Sequence, residues 1–317
     1  MGSSRIYFIT DVHGSNRCFK KFLNAAKFYK ANVLILGGDI TGKVLIPIIE
    51  QPDGSFRCNY QGAELTLKNR EEVDEFRGKA ADSGSYTHVL SRSEFEELGA
   101  NRDKVSALFK RLMIERLREW IDLAEERLGK TSVKCLISPG NDDIMEVDET
   151  LNSSSYVVNP EGRVVNIDDG HEMITLGYTN HTPWKSPREV DEDILAEKIG
   201  AMAGQVSSMR SAIFNIHVPP IDTPIDQAPR VDETLKIVVK AGNVQMISAG
   251  SSACKAAIEK YQPMIGLHGH IHESRGLVKI GRTLCANPGS EYGEGILRGF
   301  LADLDGERVK SYLLTSG

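Results

Sequence analysis

RIYFITDVHG, residues 5–14, carries the pattern that decides the fold of this 317-residue chain. The apolar residues 6–10 lead directly into Asp11 and His13, two polar side chains separated by a single valine. Continuous apolar runs of this length are typical of strands that are buried on both faces. The same form recurs five times along the chain, with apolar runs at residues 33–36, 133–137, 173–176, 212–216 and 264–267. We therefore expect six buried strands, each ending at polar or glycine-rich residues.

Four segments outside these strands have the amphipathic pattern of helices. Apolar residues recur every three to four positions over residues 19–29, 105–128, 190–209 and 253–261, which predicts helices with one buried face. The alternation of strands and helices favours an α/β fold or a mixed sandwich. Sheets of this class bind ligands beyond the carboxyl ends of their strands. The polar residues that directly follow the six apolar runs lie at these strand ends.

Residues 44–100 interrupt the alternation. An Asp-Gly dipeptide at residues 53–54 suits the turn of a hairpin between residues 45–50 and 55–60, and a charged stretch with scattered glycines follows. We interpret residues 1–317 as a single domain in which this segment is an inserted hairpin and helical flap. A lid, a dimer contact and a loosely ordered flap are all open as roles for it.

Composition and charge argue against some classes of binding partner. The formal charge of -6 and the pI of about 5.8 provide no overall positive field, which argues against nucleic acid as a partner. The five cysteines are odd in number and form no CxxC pair, and no leader precedes the first strand, which predicts a cytoplasmic protein. No apolar run reaches the roughly 20 residues that span a bilayer, so we expect no membrane association. A homo-oligomer is compatible with this composition.

Five short motifs at the strand ends contain residues that bind metals. They are Asp11-Val12-His13-Gly14, Gly38-Asp39-Ile40-Thr41-Gly42, Gly140-Asn141-Asp142-Asp143, His217 and Gly269-His270-Ile271-His272. Each motif alone is a weak signal, because a long chain contains such short patterns by accident. Together they supply enough imidazoles and carboxylates for two divalent ions. This donor set suits Mn, Fe, Zn, Co or Ni better than Ca or Mg, which prefer oxygen ligands.

The order DxHG, GDxxG, GN, H and GHxH resembles the calcineurin-like metallophosphoesterase superfamily, and the likeness runs from residue 11 to residue 290. The resemblance implies a four-layer α/β/β/α sandwich of two mixed sheets, with a binuclear metal site at the carboxyl edges of the strands. It assigns one ion to Asp11, His13, Asp39 and His272, and the other to Asp39, Asn141, His217 and His270. It also implies that a hydroxide bridging the two ions attacks a small-molecule phosphate ester.

Position 142 departs from the pattern of the superfamily. Many members have a histidine after the GN pair that orients the phosphate or protonates the leaving oxygen, whereas this chain has Asp142. An aspartate of ordinary pKa is ionised at pH 7 and repels a dianionic monoester more than a monoanionic diester, so we expect a phosphodiesterase. Alternatively, Asp142 orients a metal-binding histidine. His181, on the loop after the fourth strand, is the candidate for the missing acid. We expect His268 to be structural and His88 and His171 to lie at the surface.

Other functions stay open at this point. A phosphomonoesterase or a nucleotide pyrophosphohydrolase would use the same ligands, and a scaffold protein could keep the fold without catalysis. The complete set of seven candidate ligands argues against a scaffold. A nuclease would show a basic track or aromatic stacking positions near the motifs, and a dinucleotide oxidoreductase would show GxGxxG after the first strand. The leading prediction is therefore a metal-dependent phosphoesterase, with manganese among the candidate ions.

Overall fold

The computed structural model of the protein describes residues 3–317. The helices are α1 (Asn16–Phe28), α2 (Arg70–Asp82), α3 (Arg92–Gly99), α4 (Arg102–Leu128), α5 (Val147–Asn152), α6 (Glu192–Ala203) and α7 (Ser252–Tyr261), with 3-10 turns at Met209–Ser211 and Tyr292–Glu294. The first strands are β1 (Ser3–Ile9), β2 (Val33–Gly37), β3 (Val44–Glu50), β4 (Phe56–Tyr60), β5 (Ala63–Leu67), β6 (Ser85–Leu90), β7 (Lys134–Ser138), β8 (Val164–Asn166) and β9 (Glu172–Leu176). The remaining strands are β10 (Ile213–Ile216), β11 (Gln227–Pro229), β12 (Val239–Lys240), β13 (Asn243–Val244), β14 (Met246–Ser248), β15 (Ile265–Leu267), β16 (Gly276–Ile280), β17 (Thr283–Asn287), β18 (Arg298–Asp305) and β19 (Arg308–Ser316).

Two mixed sheets form the centre of the fold. The first has the order β19-β18-β1-β2-β7, in which β1, β2 and β7 are parallel and β18 pairs antiparallel with both β1 and β19. The second has the order β16-β17-β15-β10-β9-β8, with β8 and β16 antiparallel to the four strands between them. All six strands predicted from apolar runs are present, as β1, β2, β7, β9, β10 and β15.

The alternation of side chains along the strands assigns four layers. Ile6 and Phe8 of β1 lie in the apolar core between the two sheets. Tyr7 and Ile9 point the other way and pack with the buried faces of α1 and α4. On the second sheet, Phe214 of β10 packs outward in a core that α6 and α7 complete. The architecture is therefore helix, sheet, sheet and helix, and the predicted α/β/β/α sandwich is confirmed.

The segment that begins at residue 44 forms a sheet of its own. Its order is β5-β4-β3-β6, and the predicted hairpin is present as the antiparallel pair β3 and β4. Ile48 and Phe56 of this sheet pack with Phe76 of α2 in a separate small core. The sheet is tied to the main fold, since the Tyr86 hydroxyl accepts a hydrogen bond from the Gly42 amide at 3.1 Å. This sheet is thus anchored directly to the loop that carries the candidate metal ligand Asp39.

The prediction that His171 lies at the surface is wrong. Its imidazole is buried, with Nδ1 2.8 Å from the Asp168 carboxylate and Nε2 2.8 Å from the Gly306 carbonyl oxygen. Asp168 precedes β9 of one sheet and Gly306 joins two strands of the other, so His171 links the two sheets. His88 is half-buried in β6. Among residues 3–317, none of the helices combines the length and the apolar character needed to cross a membrane.

Candidate metal centre

The seven residues predicted to bind metal lie together at one edge of the two central sheets. Each follows the end of β1, β2, β7, β10 or β15 by no more than five residues. Five of them, Asp11, His13, Asp39, Asn141 and His217, are buried, and His270 and His272 are partly exposed. The strand ends therefore bring together side chains that are distant in the chain, such as those of His13 and His272, which are 259 positions apart.

The backbone at this edge adopts conformations that side chains normally avoid. Asp11, His13, Asp39 and His270 have φ values of 55°, 39°, 50° and 67°. A non-glycine residue in this left-handed region costs on the order of 1–3 kcal/mol and persists only where the surrounding structure holds it. Such residues concentrate at functional sites, and four of the seven candidate ligands have this conformation.

Two motif glycines are required by close packing against the candidate ligands. A Cβ atom at Gly140 would lie 2.2 Å from Asp39 Oδ1, and one at Gly269 would lie 2.4 Å from Asp11 Oδ2. Both distances are far below van der Waals contact, so any side chain at these positions would displace a carboxylate. The glycines of the GN and GHxH motifs thus keep the carboxylates in place.

One group of ligand atoms is formed by Asp11, His13 and His272. The His272 Nε2 atom lies 3.3 Å from Asp11 Oδ1 and 3.0 Å from His13 Nε2. Asp39 Oδ2 is 3.7 Å from His13 Nε2. These atoms converge closely enough for a single ion to contact the first three residues.

A second group lies on the other side of Asp39. His217 Nε2 is 3.4 Å from Asp39 Oδ1 and 3.8 Å from Asp11 Oδ1. His270 Nδ1 is 2.8 Å from Asn141 Oδ1. The two oxygens of Asp39 therefore face different groups, Oδ2 toward His13 and Oδ1 toward His217.

The imidazoles are oriented for metal binding. His13 Nδ1 lies 3.3 Å from the Thr41 carbonyl oxygen, and His217 Nδ1 lies 3.1 Å from that of Gly37. Because a carbonyl oxygen only accepts hydrogen bonds, Nδ1 carries the proton in these bonds. In the neutral imidazole, Nε2 then keeps a lone pair for a cation. His217 Nε2 is buried and has no hydrogen-bond partner among the described residues. These nitrogens and carboxylates fit a divalent transition metal.

The electrostatics of the seven candidate ligands also favour a bound cation. Burial lowers the pKa of His13, and it lowers the pKa of His270 to about 4, so these imidazoles are neutral at pH 7. Burial also opposes a charge on His217, but Asp39 and Asp11 outweigh it and raise its pKa to about 10. The buried carboxylates thus attract positive charge, which either a proton or a metal ion can supply.

Asp142 stands beside the cluster and is paired with a lysine. It forms an ion pair with Lys43 and accepts hydrogen bonds from Ser186 Oγ at 2.5 Å and Asn141 Nδ2 at 3.2 Å. Burial favours its protonated form, but Lys43 and Ser186 outweigh burial and lower the pKa of Asp142 to about 2. None of these hydrogen bonds comes from a histidine, and the bond from Asn141 Nδ2 joins Asp142 to a candidate metal ligand of another kind. The Asp142 carboxylate is also close enough to His13 and Asp39 to contribute to an ion site.

Lys43 was missed by the sequence analysis. It lines a cavity of about 350 Å³ above the cluster, together with Asp142, Ser186, Trp184 and Glu273. Its position in the sequence could have indicated this role. Lys43 directly follows the GDITG motif, so it lies on the same loop as Asp39. The cavity thus contains one ammonium group that could pair with a phosphate oxygen.

His181 does not line this cavity. Its side chain is 63% exposed, with Nε2 2.9 Å from Asp191 Oδ1 and Nδ1 3.6 Å from Glu189 Oε2. Both ring nitrogens thus face carboxylates, and His181 lines a neighbouring cavity that also includes His270. His268 is buried, with Nδ1 2.8 Å from the Ile216 carbonyl oxygen, which agrees with its predicted structural role.

Asp143, also missed, joins two of the ligand loops. Its buried carboxylate accepts hydrogen bonds from the amides of Ile40 at 3.0 Å, Thr41 at 2.8 Å and Gly140 at 2.8 Å. The Thr41 hydroxyl donates another bond at 2.6 Å. Asp143 therefore holds the loop of Asp39 against the loop of Asn141.

Known proteins share this fold. No family model matches the chain. The chain is 30% identical to the uncharacterized protein MJ1162 of Methanocaldococcus jannaschii over 178 residues, which cover 56% of this chain and 69% of that protein. The crystal structure of TT1561 of Thermus thermophilus aligns at a TM-score of 0.55 and 13% identity, covering 100% of this chain and 99% of that one. A further crystal structure aligns at a TM-score of 0.58 and 15% identity over 99% of both chains.

Proposed function

We propose that the chain, whose ordered motifs resemble those of the calcineurin-like metallophosphoesterase superfamily, is a metal-dependent phosphoesterase that prefers small phosphodiesters to monoesters. The observation that carries this proposal is the position of Asp39. Its two carboxylate oxygens face separate imidazole groups, those of His13 and His217. This arrangement suits two divalent ions that share one carboxylate.

The side chains of this protein have distinct tasks in the proposed reaction. When bound, two divalent ions would supply charge for the phosphoryl oxygens and lower the pKa of a water molecule. His13 and His217 would hold the ions through Nε2, and backbone carbonyls fix their rings. A bound cation would replace the proton that Asp39 and Asp11 favour on His217. Lys43 places an ammonium group in the cavity, where it can neutralise a phosphate oxygen.

The charges of the cavity support the preference for diesters. Apart from the seven candidate ligands, its charged residues are Asp142, Glu273 and Lys43, with a net charge of -1. A monoanionic diester is repelled less by this lining than a dianionic monoester. Asp142 is ionised at neutral pH because its pKa is lowered to about 2, so it has no proton for a leaving oxygen. Esters of acidic alcohols or phenols, which leave as stable anions, are therefore the preferred substrates.

Turnover of two chromogenic esters tests the proposal. Protein stripped of metal and reloaded with Mn²⁺ should cleave bis(p-nitrophenyl) phosphate, with kcat/KM at least about tenfold above that for p-nitrophenyl phosphate. Stripped protein should be inactive, and a His217→Ala variant purified in parallel controls for contaminating phosphatase. Bound Mn²⁺ without cleavage of either ester would favour a scaffold, and faster cleavage of the monoester would remove the diester preference.

A histidine at position 142 should shift the preference toward monoesters. In Asp142→His an imidazole replaces a fixed negative charge and can protonate the leaving oxygen, so the ratio of monoesterase to diesterase kcat/KM should rise about tenfold. Asp142→Asn serves as the control, because it removes the charge without adding an acid. Equal ratios in the wild type and in both variants would show that position 142 does not set the substrate class.

A further inference from the structure

A second cavity adjoins the candidate metal centre. It has a volume of about 460 Å³, and its apolar lining includes Pro183, Trp184, Ile221, Val231, Ile237 and Ile247. We call it the apolar groove. Trp184, His270 and Glu273 line both this groove and the cavity above the cluster. The two cavities are therefore neighbours, and a molecule with its phosphate at the cluster has the groove beside it.

The apolar groove leaves large side chains in contact with water. Trp184 is 61% exposed, Ile237 is 55% exposed and Ile247 is 43% exposed. The two isoleucines belong to an excursion of the chain between His217 and α7, in which β11 and β14 pair as a small separate sheet. Covering exposed apolar side chains of a concave surface with a ligand favours binding, because it removes apolar surface from water. This excursion therefore presents a binding wall directly after a candidate metal ligand.

The chemistry of the wall selects an aliphatic ligand. Branched aliphatic side chains and prolines provide most of the apolar surface, and Trp184 is the aromatic residue among those that line the groove. Its acidic members are Glu192 and Glu273, which would repel a second phosphate. Glu192 is also engaged at the start of α7, where it accepts hydrogen bonds from Ser251 Oγ at 2.6 Å and the Ala253 amide at 2.8 Å. The aliphatic side chains of the wall carry no charge, so this wall suits a neutral chain of methylene groups better than a charged ligand.

We propose that the apolar groove binds an aliphatic chain esterified to the substrate phosphate, so that the substrate class is alkyl phosphodiesters. The inference rests on the proposed phosphoesterase function. In the test reaction, the oxygen of one water molecule bonds to phosphorus while the bond from phosphorus to the nitrophenyl oxygen breaks. The electron pair leaves with p-nitrophenolate. The alkyl phosphate, the other product, keeps one proton of the attacking water, and the second proton passes to solvent.

Binding of two phosphonates tests the groove without turnover. Mn²⁺-loaded protein, titrated by calorimetry, should bind octylphosphonate at least about tenfold more tightly than methylphosphonate, because each buried methylene adds affinity. Octylphosphonate should also change the fluorescence of Trp184, and the Trp184→Phe variant should lose this change. The second tryptophan, Trp120, is buried and stacked on Phe19, so its emission should stay constant.

Two variants test whether octylphosphonate binds in the groove or nonspecifically to other exposed apolar surface. Ile237→Asp should reduce the advantage of octylphosphonate to within about twofold, because a charge in the wall opposes the apolar chain. Ile194→Asp is the matched control: Ile194 is 43% exposed on α6, outside the groove, and its variant should keep the full advantage. Equal loss in both variants, or equal affinity of the two phosphonates, would overturn the proposal. A change of oligomeric state in Ile237→Asp alone, measured by light scattering, would show that a second copy covers the groove and would also overturn it.

Turnover distinguishes failure of the groove from failure of the function. Octyl p-nitrophenyl phosphate should have a KM at least about tenfold below that of methyl p-nitrophenyl phosphate, at similar kcat. Equal KM values for two cleaved esters would overturn the groove assignment and leave the phosphoesterase intact. Tighter octylphosphonate binding with no cleavage of either ester would reject the enzyme, and with it the groove as a substrate site. Preferred cleavage of thymidine p-nitrophenyl phosphate over the octyl ester would reject the aliphatic chain in favour of a nucleobase.

Discussion

Replacing Asp39 with alanine should lower kcat/KM for bis(p-nitrophenyl) phosphate by at least about 1000-fold. The Asp39 carboxylate is shared between the group of His13 and the group of His217, so its removal deprives both proposed ion sites of a ligand. It also removes the acceptor for the Asp142 amide, which donates to Asp39 Oδ1 at 3.0 Å. We therefore expect two losses, in metal content and in the position of the loop that carries Asn141.

Metal content and turnover should be measured on the same Asp39→Ala preparation. Mass spectrometry of the Mn²⁺-loaded protein should report fewer bound ions than the wild type, and circular dichroism should report a folded chain. Asp169→Ala is the matched control, since Asp169 is exposed and remote from the candidate ligands. Full activity in Asp39→Ala would contradict the two-ion mechanism. An unfolded variant would be replaced by Asp39→Asn, which keeps the shape and one acceptor oxygen and should show the same loss of turnover.

Replacing Asp143 with alanine should destabilise the metal-free protein by about 3–5 kcal/mol. The substitution removes an acceptor that is shared by three backbone amides and the Thr41 hydroxyl. A buried donor that loses its partner costs about 1–3 kcal/mol, and water entering the space left by the carboxylate recovers part of the total. The loops of Asp39 and Asn141 should then separate, so metal affinity should fall together with stability.

Urea unfolding of stripped protein measures this effect without interference from metal binding. The midpoint should fall in Asp143→Ala with little change in the slope, whereas Asp169→Ala should unfold like the wild type. The midpoint of Asp143→Asn should lie between those of Asp143→Ala and the wild type. Its amide oxygen can accept some of the hydrogen bonds, while its NH₂ group opposes the other donors. A midpoint equal to that of the wild type would show that the two loops are held by other contacts.

The strands that end at the site could be predicted because their signal is local. Val33, Leu34, Ile35 and Leu36 are all buried, as a continuous apolar run requires when both faces of a strand are covered. Strand β19 was not predicted, since most of its residues are exposed and it contains no continuous buried run. The bounds of helix α2, within the segment expected to form a helical flap, were not predicted for a similar reason, because its buried face is limited to Val73, Phe76 and Ala80 in a charged stretch.

Local patterns predicted six buried strands in an α/β fold or mixed sandwich, and motifs after five of these strands supplied the candidate metal ligands, because apolar runs and short motifs are properties of neighbouring residues. The four-layer arrangement was implied by the resemblance of the motif order to a known superfamily. The groups from distant parts of the chain that meet at these strand ends could be identified only in the folded structure. It paired Lys43 with Asp142, bound Asp143 to a hydroxyl 102 positions away and buried His171 between the sheets. It also formed the apolar groove from separate segments of the chain. Contacts of this kind depend on how whole elements pack, and no local periodicity encodes them.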